Sequence, residues 1–417
     1  MNQNPEPYKN VFTRTNCRFC DSENIKKFLD FGMMPLANNF LNEEKENQKY
    51  PLRFSVCNDC GLVQVVDIIS NEVLFKDYRY TSSTTNTIRE HFKNYANEIM
   101  KKYLNKNSFV VEIGSNDGVM LEPFNNLGIK ALGVEPATNI AKLATDKGLD
   151  VLNDFFSVKT AQEISEKYGK ADAIIGNNVL AHMDNMNEMF EGIKLLLSPK
   201  GILVFEIQYL YELVKNVQYD VMYHEHMSYY SVKPLISFLK KHGLKLFDVK
   251  EVPTHGGSIR VFGTHSDNED VSVSQNVFDM LNKEKELGIH DYEGLTNFSK
   301  KVESHKEKII ELLENFKSQG KTICGYGAAG RGTIFVNFCG IDKKYLDYTV
   351  DDSHEKQGRF VPGTLVKILP VKHFREYPTD VLLMVAWTYK DEILTKENWF
   401  LKQGGKIIIP FPEPEVL

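Results

Sequence analysis

Glu112-Ile113-Gly114-Ser115-Asn116-Asp117-Gly118 follows directly on the apolar run Phe109-Val110-Val111. A short buried strand therefore enters a tight loop whose two glycines let the backbone approach a ligand closely. A second strand, Ala131-Leu132-Gly133-Val134, ends in Glu135. That places a carboxylate about 20 residues past the first glycine, where it accepts from two ribose hydroxyls. The loop lacks the third glycine of a dinucleotide fingerprint and carries Asn116-Asp117 where a pyrophosphate would need room. A nucleoside cofactor without phosphate is implied.

S-adenosylmethionine meets that description, and the region reads as a class I methyltransferase core, an α/β Rossmann-like unit. Strands are expected at residues 109–113, 130–134, 149–152, 171–176 and 201–207, alternating with helical segments as in a parallel sheet. Two more, near 244–251 and 258–264, form a closing antiparallel pair joined by Pro253-Thr254-His255-Gly256-Gly257. The cofactor set is Gly114, Ser115, Asn116, Asp117, Gly118 and Glu135. Asp154, past the third strand, is placed to accept from an adenine amino group. Asn177 and Asn178, past the fourth, can hold the methionine part or a substrate hydroxyl, since ligands bind at strand carboxyl ends.

The chain has 417 residues, more than one core usually supports. Three sections separate: 1–75, turn-rich and holding four of the six cysteines; 76–268, the methyltransferase pattern; and 269–417, charged helices followed by a second, smaller Rossmann-like α/β unit. The helical stretch from about 269 to 320 reads as a solvated spacer packed on one face. A net charge of -6 argues against nucleic acid as a partner. No apolar run reaches the roughly 18 residues of a membrane span, the first residues lack an apolar signal core, and the cysteines do not suggest a disulfide scaffold. A cytoplasmic protein is expected. Oligomeric state has no readable signature.

Cys17-x2-Cys20 and Cys57-x2-Cys60 offer two pairs of thiolates, enough to close a tetrahedral, structural Zn²⁺ site. Redox or iron–sulfur chemistry is the alternative. Cys324 and Cys339 have no partner motif and read as core thiols.

After the fifth strand comes Tyr223-His224-Glu225-His226-Met227-Ser228-Tyr229-Tyr230. His226 is the general-base candidate, because imidazole titrates near neutrality. Glu225 or a nearby tyrosine, Tyr223 among them, sets its tautomer or stabilises its charged form. His182, after the fourth strand, is a second candidate. The His-Glu-His run lacks the i, i+4 spacing of a helical zinc motif.

A second loop, Gly325-Tyr326-Gly327-Ala328-Ala329-Gly330, lies between a strand and a helix, with Asp351 ending the next strand. Alone it is a dinucleotide fingerprint and supports an NAD-dependent oxidoreductase. The unit is short for that, with about four expected strands.

Taken together these motifs resemble the sugar C-methyltransferase family, S-adenosylmethionine-dependent enzymes that methylate a carbon of nucleotide-linked keto-deoxysugars. The resemblance covers nearly the whole chain: the paired cysteines, the 112–118 loop, Asn177–His182, Tyr223–His226, His255-Gly256-Gly257-Ser258, and Asp77-Tyr78-Arg79-Tyr80, which is similar to the segment bringing a tyrosine to that family's site. Arg331 stands where the family pattern has Lys. The resemblance implies methylation at C3 of a 4-keto sugar. His226 removes the C3 proton, and Tyr223, Glu225, His182, Tyr78 or Tyr80 stabilises the oxyanion. His255, Gly256 and Gly257 contact the substrate. The second glycine-rich loop (Gly325, Gly327, Gly330), with Arg331 and Lys356, receives its diphosphate. O- or N-methylation of a small sugar is the rival, and a zinc module that binds nucleic acid is a further one.

Overall fold

The computed structural model describes residues 11–74 and 86–417. Tyr78 and Tyr80 lie outside the described residues.

At the centre is a seven-stranded sheet, ordered Val151–Leu152, Lys130–Val134, Phe109–Ile113, Ala171–Asn177, Leu197–Gln208, Ser258–His265, Leu244–Val252. The first five run parallel, and Ser258–His265 is antiparallel to both its neighbours. The strand order reverses between Phe109–Ile113 and Ala171–Asn177, which opens a crevice at their carboxyl ends. Phe109–Ile113 is buried throughout, as a central parallel strand covered by helices on both faces must be. Residues 130–134 and 109–113 match the expected strands, whereas the third is only Val151–Leu152 and the fifth extends to Leu197–Gln208. Two glycines fit the first loop to the sheet. A Cβ on Gly118 would meet Leu149 Cδ1 at 2.2 Å, at a φ of +81° that side chains avoid, and one on Gly133 would meet Ser115 Oγ at 2.3 Å.

The amino-terminal section is not merely turns. Ile25–Pro35, Lys49–Cys57 and Val63–Val65 form an antiparallel sheet whose fourth strand, Ser228–Tyr229, comes from beyond residue 200. The sheet thus crosses the 75/76 division expected from the sequence, because the Val63–Val65 edge pairs with a two-residue strand too short to have its own pattern.

The carboxy-terminal unit is a six-stranded sheet, ordered Ile368–Pro370, Tyr348–Asp351, Ile323–Tyr326, Val381–Leu383, Lys406–Ile409, Glu415–Val416. It is parallel except for the last strand. The sequence reading counted about four; Ile368–Pro370 and Glu415–Val416 carry no apolar run long enough to reveal them. The helix Tyr292–Ser318, read as a spacer, buries Leu295, Phe298, Val302, Ile309 and Leu313 in a core shared with Leu29, Phe54, Phe335 and Ile341. It is a spine between the first and last sections.

One ion pair fastens the last section to the middle one. Arg331 grips Asp220 through two bonds of 3.0 and 2.9 Å, and Trp387 Nε1 donates to the same carboxylate at 2.8 Å. Asp220 is 1% exposed, so removing it leaves the half-buried Arg331 guanidinium without its counter-charge and an indole N–H unpaired. Asp220→Ala is expected to lower the melting temperature by about 5 °C or more in a thermal-shift measurement, whereas a change confined to the partly exposed Lys356 is not.

Candidate active site

The carboxyl ends of the central strands carry a row of buried polar side chains. Glu112 Oε1 accepts from Asn177 Nδ2 at 3.1 Å. On the next strand Glu206 accepts from Arg260 Nη2 at 2.9 Å, Thr254 Oγ1 at 3.0 Å and the His91 ring at 2.7 Å. Arg260 stacks over the Tyr95 ring at 3.4 Å and reaches Glu98. Glu206 therefore stays ionised despite burial, its pKa held below the usual carboxylate range by His91 and Arg260. Glu112 has no such cation, and burial pushes its pKa well up.

The first loop is built as the sequence implies. Gly114 and Gly118 have φ of +67° and +81°, and Asn116 takes +49°. Glu135 holds the loop, accepting from the Asn116 N–H and the Ala137 N–H at 2.9 Å each. Each oxygen keeps lone-pair capacity toward a ribose. Lys147 Nζ donates to the Asp117 carbonyl at 2.7 Å, which fixes the loop's far side. Asp154 is exposed, with its Oδ1 accepting from the Phe155 N–H. Asn178 takes a φ of +55°, and its N–H bonds the Glu206 carbonyl. Three buried atoms here, Glu112 Oε2, Ser115 Oγ and Asn177 Oδ1, have no partner among the described residues. Acceptors and a hydroxyl waiting beside a glycine cradle fit the amino acid and ribose of S-adenosylmethionine.

His226 is oriented at both nitrogens. Nδ1 lies 3.1 Å from the Val221 carbonyl, which only accepts, so Nδ1 carries the proton. Nε2 then offers its lone pair to the Tyr223 hydroxyl at 2.8 Å. Burial, with His182, Arg331 and His255 nearby, keeps the imidazole neutral far below its ordinary pKa. His182 crosses its face with ring centroids 5.1 Å apart and is itself lowered to about 4 by burial. Glu225 is the opposite case: burial raises it to about 7, opposed by Asn38, whose Nδ2 donates to both its oxygens. Histidines and carboxyl with pKa values driven apart mark an acid–base site.

His224 does not join them. Its Nε2 donates to the Pro51 carbonyl at 3.2 Å in the amino-terminal sheet, so the His-Glu-His run serves three different neighbours. His255 sits in a strained turn, φ +55°, between Gln218, which donates to the Gly256 carbonyl, and Arg331, which donates to its own carbonyl at 3.1 Å. Arg331, read as a phosphate ligand, thus has its fork filled by Asp220 and His255. Lys356 lies 3.7 Å from Asp351 and over the Phe40 ring. In the second loop Ala328 N–H donates to Asp351 at 2.7 Å, and a Cβ on Gly325 would strike Thr349 Oγ1 at 2.6 Å, on Gly327 Ala386 Cβ at 2.3 Å, and on Gly330 Asn38 Oδ1 at 2.6 Å. Close packing accounts for each of these glycines.

The four sulfurs of Cys17, Cys20, Cys57 and Cys60 lie within 4.8 Å of one another, the one such group among the described residues. All-thiolate donors at that spacing match tetrahedral Zn²⁺ with no open position. Cys324 and Cys339 are buried core thiols, as expected.

Sequence reasoning passed over Asn38, Asp220, His91, Glu206 and Arg260. The apolar string Leu203-Val204-Phe205-Glu206-Ile207 repeats the carboxylate-in-a-buried-strand pattern of Val110-Val111-Glu112-Ile113 and could have flagged Glu206. Nothing local marks Asn38.

Two outcomes follow. Cys57→Ser is expected to lose bound zinc by metal analysis and about 5 °C or more of melting temperature. Burial of His224 lowers it to about 4, against about 6.5 in the unfolded chain. The unfolded state therefore takes the proton first, and stability that is full above pH 6.5 falls away toward pH 4. His224→Gln should remove about 3 kcal/mol of that acid-side loss, read by urea unfolding across the window.

Three family models match: "Putative zinc binding domain" at residues 17–75, "Methyltransferase domain" at 87–249 and "C-methyltransferase C-terminal domain" at 253–412. C-methyltransferase NovU of Streptomyces niveus is 34% identical over 405 residues, 96% of each chain. A ubiquinone biosynthesis O-methyltransferase of Bartonella bacilliformis is 26% identical over 98 residues, 22% of this chain and 38% of that one. Magnesium protoporphyrin IX methyltransferase from Synechocystis PCC 6803 with bound SAM is 14% identical, covering 43% of this chain and 79% of that one at a TM-score of 0.34. No helix among the described residues is long and apolar enough to cross a membrane. The match to one full-length relative spans the paired-cysteine module, the methyltransferase sheet and the carboxy-terminal unit of this chain, and the chain belongs to the C-methyltransferase family as an S-adenosylmethionine-dependent, zinc-binding enzyme.

Proposed function

We propose that this C-methyltransferase acts on C3 of a nucleotide-linked 4-keto-deoxysugar, through an enolate made by the Tyr223–His226 pair. The carrying observation is the fixed tautomer of His226: Nδ1–H on the Val221 carbonyl, Nε2 facing the Tyr223 hydroxyl. A proton leaving C3 reaches Nε2 through, or in place of, that hydroxyl. Glu225, near pKa 7, donates to the developing C4 oxyanion in its acid form, and His182 closes the other side. The bound cofactor supplies an electrophilic methyl group. Gly114–Gly118, Glu135, Glu112 and Asn177 hold it, with Asn178 and Asp154 at the rim. His255, Gly256 and Gly257 shape the sugar pocket. The diphosphate lies toward Gly325–Gly330, where Lys356 supplies charge and Arg331 orders the turn at His255. Tyr78 and Tyr80 are proposed as further oxyanion donors. Four zinc-ligating thiolates, which must stay reduced, suit a reducing compartment such as the cytoplasm.

In deuterated water without the methyl donor, the enzyme is expected to exchange the C3 proton of its 4-keto substrate, followed by NMR. His226→Asn should slow exchange and methylation together by about 100-fold or more, with melting temperature retained. Methyl transfer to an oxygen without carbon exchange overturns the reading.

A further inference from the structure

We propose that Asn38, carried in by the amino-terminal zinc module, is a positioning residue for the Glu225 carboxyl and sets the pH range over which that group works. This rests on the proposed role of Glu225. Asn38 is remote in sequence, yet its Nδ2 donates to Oε1 at 3.0 Å and Oε2 at 3.3 Å, spanning the whole carboxyl group. Its side-chain Oδ1 lies only 2.6 Å from where a Cβ on Gly330 would stand. The third glycine of the second loop is therefore the residue that admits Asn38, and one amide touches both the proposed acid and the start of the carboxy-terminal helix.

The loop presenting Asn38 is anchored on both sides. Ala37 is buried, and Leu41 exchanges backbone bonds of 3.1 and 2.9 Å with Phe360. Asn47 Oδ1 accepts from the Gly363 N–H at 2.9 Å. Held in that way, a side chain loses little entropy on making its bonds, and it fixes the carboxyl rotamer.

No charged side chain accounts for the Glu225 shift. Burial raises it and Asn38 lowers it. The other titratable groups at this point are His182, whose ring contacts the Glu225 backbone, and His226, which faces His182, Arg331 and His255. Both imidazoles are neutral across the range in question, so they do not move the carboxyl group between pH 6 and 9. Removing a donor from a carboxylate raises its pKa whichever form is active.

The test is Asn38→Leu, which keeps much of the shape and loses the donor without adding a charge beside Glu225, together with Asn38→Ala and Glu225→Gln. In the pH profile of kcat/KM, the limb near 7 should vanish in Glu225→Gln. It should move up by about one pH unit or more in both Asn38 variants, with kcat down about 10-fold. Zinc content and S-adenosylhomocysteine affinity should stay unchanged. A limb that Glu225→Gln abolishes but Asn38→Leu leaves in place overturns the inference. If Glu225→Gln keeps full turnover, the catalytic reading of Glu225 fails instead. The ¹³C titration of the Glu225 carboxyl then decides on Asn38 alone: unmoved in Asn38→Leu, the inference is wrong; moved up, it stands.

Discussion

The guanidinium of Arg18 is the contact on which the arrangement of the site depends. It stands between two zinc ligands, Cys17 and Cys20, and its side chain is wholly buried. Nη1 donates to the Val65 carbonyl at 2.7 Å and the Met227 carbonyl at 2.9 Å, and Nε to Asp184 at 2.9 Å. Met227 follows His226, and Asp184 lies two residues past His182. One cation therefore ties the metal knuckle to both loops that carry the imidazoles. Burying it costs several kcal/mol, offset only while those acceptors hold their places. Burial pulls its pKa to about 10, so it remains charged at neutral pH and the clamp stays set. A zinc ion held by the four sulfurs would thus support the proposed site from a distance, by keeping Arg18 where it is.

A second constraint acts across the central sheet. Glu112 and Glu206 interrupt the apolar runs Phe109–Ile113 and 202–207, toward the carboxyl ends where the crevice opens. Their environments separate them. Glu206 has Arg260, His91 and Thr254, and it locks the Asn86–Tyr103 helix and the Pro253–Gly257 turn to the sheet. Glu112 has only Asn177, and one oxygen is left over. The satisfied carboxylate is scaffold, and the unsatisfied one faces the cofactor cradle. Two residues of one type in one layer divide the labour through their partners.

The sequence makes the central sheet legible because its strands are long, apolar and punctuated by loops with glycine. The cysteine module is legible because metal ligation fixes both residue type and spacing. Arg331 shows where such reading stops. A cation after a glycine-rich loop has the look of a phosphate ligand, but its partner, Asp220, lies 111 residues away on another unit. Pairing across units leaves no local period. The same holds for the sheet that borrows Ser228–Tyr229, and for the second loop, whose glycines also make room for Thr349, Ala386 and Asn38.

The segment from Val221 to Tyr230 shows why a dense cluster of His, Glu and Tyr resists reading by pattern. Each residue in it answers to a different body. His224 goes to Pro51 and Glu225 to Asn38, while His226 goes back to Val221 and Tyr223. Met227 N–H reaches Ala181 and its carbonyl takes Arg18; Tyr230 Oη donates to the Leu180 carbonyl. A helix or strand would present such residues on one or two faces. Here the backbone turns at nearly every step, which costs conformational entropy with little secondary structure in return. That cost is borne where three sections of the chain meet, because only there are acceptors and donors available on every side. An imidazole with a fixed tautomer and a carboxyl group near neutrality both require partners from more than one direction. The proposed catalytic segment therefore lies at the junction of the three sections, and in that reading the zinc module contributes to the site as much as the Rossmann sheet does.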